Sequence, residues 1–164
     1  MAESPVHFRS DTNEWPTPRA LFDVLNAEFN FTLDVCATPA NAKCARYFTR
    51  ADDGLAQDWT GVCWMNPPFG HPIKLWMEKA LCASCHGATV VCLVPARTDT
   101  RWWHRYAMRA NEIRALDKRL QFIGGAAKAP FPAVVIVFRP KAAGAQRQPV
   151  TLTAMAVPDE TGGV

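Results

Sequence analysis

The sequence predicts an α/β domain: a mostly parallel central sheet with helices on both faces. Three observations carry this. Short apolar runs rich in β-branched residues, such as ATVVCLVPA and PAVVIVFR, alternate with amphipathic stretches such as PRALFDVLNAEF. Several of these runs stop abruptly at a polar residue or a proline, as strands do at a sheet edge. The chain has 164 residues and is 49% hydrophobic, enough for one compact core and short for two.

Residues 1–14 are polar and expected to be flexible. In PRALFDVLNAEF, Leu21, Phe22, Leu25 and Phe29 form a helical stripe, with Pro18 as its opener. FTLDVCA is a short strand ending at Asp34, and CARYFT is a candidate second strand. GVCWM is the next apolar run, closed by Asn66 and two prolines. PIKLWMEKALCASC reads as a helix with Pro72 in its first turn. ATVVCLVPA is a strand stopped by Pro95, and Thr98 or Asp99 is the expected cap of a helix over TRWWHRYAMRAN. EIRALD and PAVVIVFR are two more strands. The folded domain is expected over 15–140, and 141–164 as a flexible tail with one extended piece at VTLTAMAV. In open α/β sheets, ligands bind beyond the carboxyl ends of the strands. Asp34 and Asn66 both fall there.

The net charge of +3 is unevenly spread. From Pro95 to Lys128 there are eight basic residues against three acidic ones, so this segment is +5 and the remainder slightly negative. A local basic field suits a polyanionic partner; a solvated helix face is the plainer alternative. Arg101, Arg105 and Arg109 lie four apart, a spacing that puts them on one helical face where they can follow phosphates. Arg97 and Thr98, just after a strand end, are expected nearer the site. No apolar run approaches the roughly 20 residues needed to cross a bilayer. The start, MAESPVHFRSDTNEW, has no signal-peptide layout, so the expected location is the cytoplasm and the six cysteines are expected reduced. CASCH, Cys82 to His86, has the spacing of covalent haem attachment, which would make an electron carrier. That rival needs export, and the plainer reading puts Cys82 and Cys85 at a helix end.

WMNPPFG, Trp64 to Gly70, carries the chemistry. Two prolines make a stiff corner that aims main-chain carbonyls at one spot. Asn66 adds a side-chain acceptor, and Phe69 offers a ring for stacking. Converging acceptors beside a ring suit a planar heterocycle with an exocyclic amine, such as adenine. Such an amine is a poor nucleophile, because its lone pair is delocalised. Accepting its hydrogens localises that pair, so a methyl donor held in line can be attacked. Orientation and electrostatics supply the effect, and no metal is called for.

These residues resemble the Asn/Asp-Pro-Pro-aromatic motif of amino-group methyltransferases that use S-adenosylmethionine. WPTP (15–18), LDVCA (33–37), DGLAQDW (53–59), NPPFG, LVPARTDTRWW (93–103) and RLQF (119–122) occur in the order and spacing of phage-type DNA N-6-adenine methyltransferases. The resemblance covers about 13–139 and implies a Rossmann-like methyltransferase domain, double-stranded DNA as partner, base flipping, and a phage or prophage origin. It implies that Trp15, Thr17 and Pro18 pack beside the cofactor. It puts Asp34 near the methionine end, with Cys36 and Ala37 as neighbours. It further implies that Asp58 accepts from the cofactor's adenine amine, with Trp59 packed nearby. Asn66, Pro67, Pro68 and Phe69 grip and stack the target base, and Phe122 adds an apolar wall. Arg97, Thr98, Arg101, Arg105 and Arg119 are the expected DNA contacts.

The chain departs from that pattern in places. No glycine lies between Phe31 and Gly54, where many such enzymes have a Gly-rich loop. The ribose-gripping acid is not obvious, with Asp52 and Asp53 as weak candidates. Methylation of an RNA guanine or protein glutamine amine uses the same grip, and a non-catalytic DNA-binding relic is a further alternative. The sequence leaves open whether the protein is a monomer or a dimer.

Overall fold

The computed structural model describes residues 15–123, 127–146 and 148–159, so the expected N-terminal segment 1–14 lies outside the described residues. Helix α1 (Arg19–Phe29) follows Pro18 and buries the expected stripe of Leu21, Phe22, Leu25 and Phe29. It stops at Asn30, whose φ of 55° is left-handed and whose N–H bonds back to the Asn26 carbonyl at 2.9 Å.

Strands β1 (Leu33–Asp34), β2 (Val62–Met65) and β3 (Thr89–Pro95) pair in parallel. Next come β5 (Ala133–Phe138), antiparallel to β3, then β4 (Glu112–Leu116), antiparallel to β5. β6 (Thr151–Met155) lies parallel to β4 at the far edge. The order is β1-β2-β3-β5-β4-β6, and β5 alone among these strands opposes the others. The sheet is therefore mostly parallel, as expected. All of β5, and β3 beyond its first residue, is buried on both sides, so both faces of the sheet centre are covered. α1 packs on the Trp64 side, where Phe22 meets the indole edge-on at 5.4 Å. α2 (Ile73–Cys85) connects β2 to β3 and buries Ile73, Trp76, Met77, Ala80 and Leu81.

Four expectations change. CARYFT is not a named strand: its Tyr47 makes one isolated bridge to Asp34. After β1 the chain turns, and the Asp34 carboxylate accepts the N–H groups of Cys36 and Lys43 in that turn. The long helix over 100–111 is broken into α3 (Arg101–Arg105) and a 3₁₀ turn (Ala107–Arg109), and its cap is Thr100, whose hydroxyl accepts the Trp103 N–H. The extended piece at VTLTAMAV is strand β6, so the sheet continues past residue 140.

The basic run also divides. Arg114 forms a bidentate pair with Glu28, both bonds at 2.7 Å, and bonds Glu112 as well; Arg139 joins through Glu112 at 2.6 Å. The network ties the end of α1 to β4 and β5, and each guanidinium also sits over the Phe29 ring. Mutual pairing raises the Arg114 pKa and lowers those of Glu28 and Glu112. Lys118 pairs with Asp159 at 2.5 Å. These cations have carboxylate partners within the chain. Among the described residues, no helix is long and apolar enough to cross a membrane.

Candidate active site

The carboxyl ends of β1, β2, β3 and β4 lie on one edge of the sheet, together with the start of the antiparallel β5. This places Asp34, Asn66, Arg97 and Arg119 along that edge, with Phe131 just before β5. A cavity of about 640 Å³ opens there, in the range of small-ligand sites. Its walls include Trp15, Thr17, Asp34, Cys36, Ala37, Asn66, Pro67 and Pro68. These sequence-selected residues come together although some 50 positions separate the first from the last.

Asn66 is the centre of the wall. Its Nδ2 donates to the Trp15 carbonyl at 2.6 Å and to Thr17 Oγ1 at 2.9 Å. Its Oδ1 is buried and has no hydrogen-bond partner among the described residues. Buried polar atoms are almost always paired, so an orphan on a residue that lines the cavity is a candidate ligand contact. Phe69 and Gly70 then turn the chain into α2, with Gly70 at φ 103°, a conformation that side chains disfavour.

Asp34 is 2% exposed. Burial pushes its carboxyl up to about 6, against the opposing pull of the Lys43 and Cys36 N–H bonds and the Lys43 charge. The native state therefore holds the proton more tightly than the unfolded chain does. Between about pH 4 and 6 the folded form binds more protons, so Asp34's contribution to stability falls as pH rises through that window. The penalty is full above it. The gap in unfolding free energy between the wild type and Asp34→Asn is expected to shift by on the order of 2–4 kcal/mol between pH 4 and 7.5. Parallel urea-unfolding profiles for the two proteins across that range would contradict it.

DGLAQDW folds as a compact turn under the cavity. The Trp59 indole donates to the Gly54 carbonyl at 2.8 Å and stacks on Trp76 at 6.0 Å. Trp59 is thus buried support, while Gly54 and Trp76 line the cavity. Asp58 is exposed and not on the wall, contrary to the expected adenine contact; the turn presents Asp53 instead, at φ 51°. Pro18 also sits behind the wall, buried as the cap of α1.

Phe69 departs from the expected free stacking face. It is 5% exposed and meets Phe131 and Phe122 edge-on, at 5.5 and 6.2 Å. Trp15 closes the same group, 5.3 Å from Phe122 and 5.4 Å from Phe131. Phe122 packs against Phe69 but is buried and lies outside the cavity wall. Arg97, Thr98, Arg101, Arg105 and Arg119 are exposed and lie outside the cavity wall. The Thr98 carbonyl accepts from His104 Nε2 at 2.8 Å. Arg109 leaves the expected stripe, because the helix breaks before it; it lines a second recess with Asn111 and Arg139 near the amino end of β4.

The sequence reading missed Thr38, Asn41, Lys43, Thr49 and Arg50, which also line the wall. Thr38, Asn41 and Lys43 belong to the turn after β1, and Thr49 and Arg50 follow the Tyr47 bridge. Asn41 Oδ1 accepts the Thr38 N–H at 2.7 Å and shapes that turn. A run of small polar residues after a strand end was the one available signal. Phe131 was missed because it reads as the first residue of a strand. Cys82 and Cys85 are exposed near the end of α2 opposite Pro72, about 9 and 14 Å along the helix from Trp76 on the cavity wall. Among the described residues, no group of three or more His, Cys, Asp or Glu side chains is placed to hold a metal ion.

The family model described as DNA N-6-adenine-methyltransferase (Dam) matches residues 6–153. A DNA N-6-adenine-methyltransferase of Haemophilus phage HP1 is 32% identical over 143 residues, covering 82% of this chain and 83% of its own. One from Escherichia phage T1 is 28% identical over 102 residues, covering 60% of this chain and 42% of the longer phage protein. Among solved structures, a predicted O-methyltransferase of Agrobacterium tumefaciens is 21% identical, covering 76% of this chain and 61% of its own, with a TM-score of 0.38. With nearly the whole described chain inside the matched span, the protein belongs to the DNA N-6-adenine-methyltransferase (Dam) family.

Proposed function

We propose that this protein transfers a methyl group from S-adenosylmethionine to the N6 amine of adenine in double-stranded DNA, acting on a base turned out of the helix. The observation that carries the reading is the orphaned Asn66 Oδ1, a buried acceptor on the cavity wall. The donor set fits the cofactor. Asp34 and Lys43 offer opposite charges for its amino-acid end, and Asp53 and Trp76 line the part of the wall formed by the DGLAQDW turn and α2. When bound, S-adenosylmethionine supplies an electrophilic methyl carbon on a sulfonium.

The chain's own residues do the rest. Asn66 Oδ1 accepts one hydrogen of the target amine, and the Pro67 carbonyl is proposed to accept the other. Both acceptors draw nitrogen density out of the ring, which favours attack on the methyl carbon as the carbon–sulfur bond breaks. The nitrogen's extra proton then leaves to solvent. The preset dipoles need no reorganisation during transfer. A base inside a duplex cannot reach such a corner, hence the flipping. Phe122 and Phe131, now packed on Phe69, would shift to admit it. The proposed location, in a bacterial or phage-infected cytoplasm, follows from the substrate.

The direct test incubates the purified protein with methyl-labelled S-adenosylmethionine and DNA of mixed sequence. Label on N6 of adenine supports the reading; cofactor binding with no label on DNA refutes it. Exposed Arg101 and Arg105 are proposed to track phosphates. The double change to alanine is expected to weaken DNA binding and lower the magnitude of the log–log salt slope by roughly 2. An unchanged slope would remove both arginines from the DNA contact.

A further inference from the structure

An asparagine amide carries two hydrogens and two carbonyl lone pairs, and its function depends on which end faces the substrate. In Asn66 both Nδ2 bonds run to the 15–17 segment, to the Trp15 carbonyl at 2.6 Å and to Thr17 Oγ1 at 2.9 Å. The Trp15 carbonyl can only accept. A reversed amide would set oxygen against oxygen there, so this bond fixes the orientation. Thr17 adds a second acceptor from a side chain that is 1% exposed. A hydroxyl that deep would cost free energy without a partner, and Asn66 is the partner it has.

We infer that Thr17 is a positioning residue: with the Trp15 main chain it locks the Asn66 amide so that only the oxygen meets the substrate. This rests on the proposed role of Asn66 as acceptor of the target amine. The lock accounts for a further property. A site presenting only acceptors welcomes a ring amine and repels a ring carbonyl at the same position, so adenine is taken and its oxo counterpart, hypoxanthine, is refused. A freely turning amide would present its own hydrogens to that carbonyl and discriminate less. In this role Thr17 acts through Asn66; packing of its side chain on the cofactor is a separate role, which the cofactor Kd reads.

The test compares Thr17→Val, of similar shape without the acceptor, with Thr17→Ser, which keeps it. Methyl transfer to mixed-sequence DNA is followed with labelled S-adenosylmethionine, and cofactor affinity by calorimetry. Thr17→Val is expected to lower kcat about tenfold, the worth of one positioning hydrogen bond, with cofactor Kd and DNA KM unchanged. Thr17→Ser is expected to recover most of kcat. Wild-type kcat in Thr17→Val overturns the inference. So does a weakened cofactor Kd at unchanged kcat, which would make the hydroxyl a cofactor contact. Should Thr17→Val fail to fold, Thr17→Ala against Thr17→Ser reads the same split. Asn66→Ala run alongside separates the two levels. If it keeps transfer, the acceptor reading itself falls; if it loses transfer while Thr17→Val does not, only the lock falls.

Discussion

Asn66→Ala is expected to cut methyl transfer by on the order of 10²–10³-fold while leaving most cofactor binding in place. The substitution removes Oδ1, the one buried side-chain acceptor without a partner among the described residues, from a residue of the cavity wall. It also frees the Trp15 carbonyl and the Thr17 hydroxyl, which then lose their shared donor. The cofactor contacts proposed at Asp34, Lys43 and Asp53 come from other segments and are untouched. Single-turnover transfer with labelled cofactor, beside calorimetric cofactor titration, separates the two effects. Near-normal transfer would leave the orphaned oxygen without the proposed role. Asn66→Asp is a sharper companion: it keeps an acceptor but replaces the Nδ2 donor, so a carboxylate oxygen faces the Trp15 carbonyl.

Gly54→Ala is expected to be nearly as damaging, by a route that does not involve the reacting atoms. A Cβ built at Gly54 falls 2.3 Å from the Val35 carbonyl oxygen and 3.2 Å from Trp76 Cη2. The first neighbour is main chain and cannot swing aside. Val35 is held from the other side, since its N–H bonds to the Trp64 carbonyl at 3.1 Å. The turn itself is pinned by the Trp59 indole on the Gly54 carbonyl. Either the turn lifts or the end of β1 gives way, and both form the cavity wall. Overpacking of this kind costs about 1–3 kcal/mol of stability. If the same strain appears in binding, cofactor affinity drops by roughly tenfold for each 1.4 kcal/mol. Urea unfolding and cofactor titration check the two parts. Wild-type values in both would mean that the backbone relaxes at no cost.

These two positions show what was legible in advance. Asn66 was readable because an apolar strand ending in Asn-Pro-Pro has few ordinary explanations. Gly54 was visible only as a glycine in DGLAQDW. Nothing in that string tells which main-chain atom crowds it, because Val35 lies far away in sequence. The stripe Leu21, Phe22, Leu25 and Phe29 was legible from helical period alone and buries as expected. TRWWHRYAMRAN was not: its cap is Thr100, and the helix ends after Arg105, so a basic face drawn through Arg109 does not exist as one helix. Asp58 shows the same limit. A residue beside a buried tryptophan was expected at the cavity, but the turn directs it to solvent and presents Asp53.

By itself, the sequence determined the alternation of strands and helices, the stiff Asn-Pro-Pro corner at the end of β2, and the chemistry that corner suits. Those features are local: side-chain period, missing N–H groups and fixed φ act within a few residues. The tertiary structure alone decided which end of the Asn66 amide is free and which aromatic rings cover Phe69. It also decided that Asp34 lies buried enough to be pushed up to about 6. Each of these depends on a partner from a distant segment, at Trp15 and Thr17, at Phe122 and Phe131, or in the turn reaching Lys43. Hydrogen-bond satisfaction and desolvation are set by what surrounds a group in space, and chain order does not specify that.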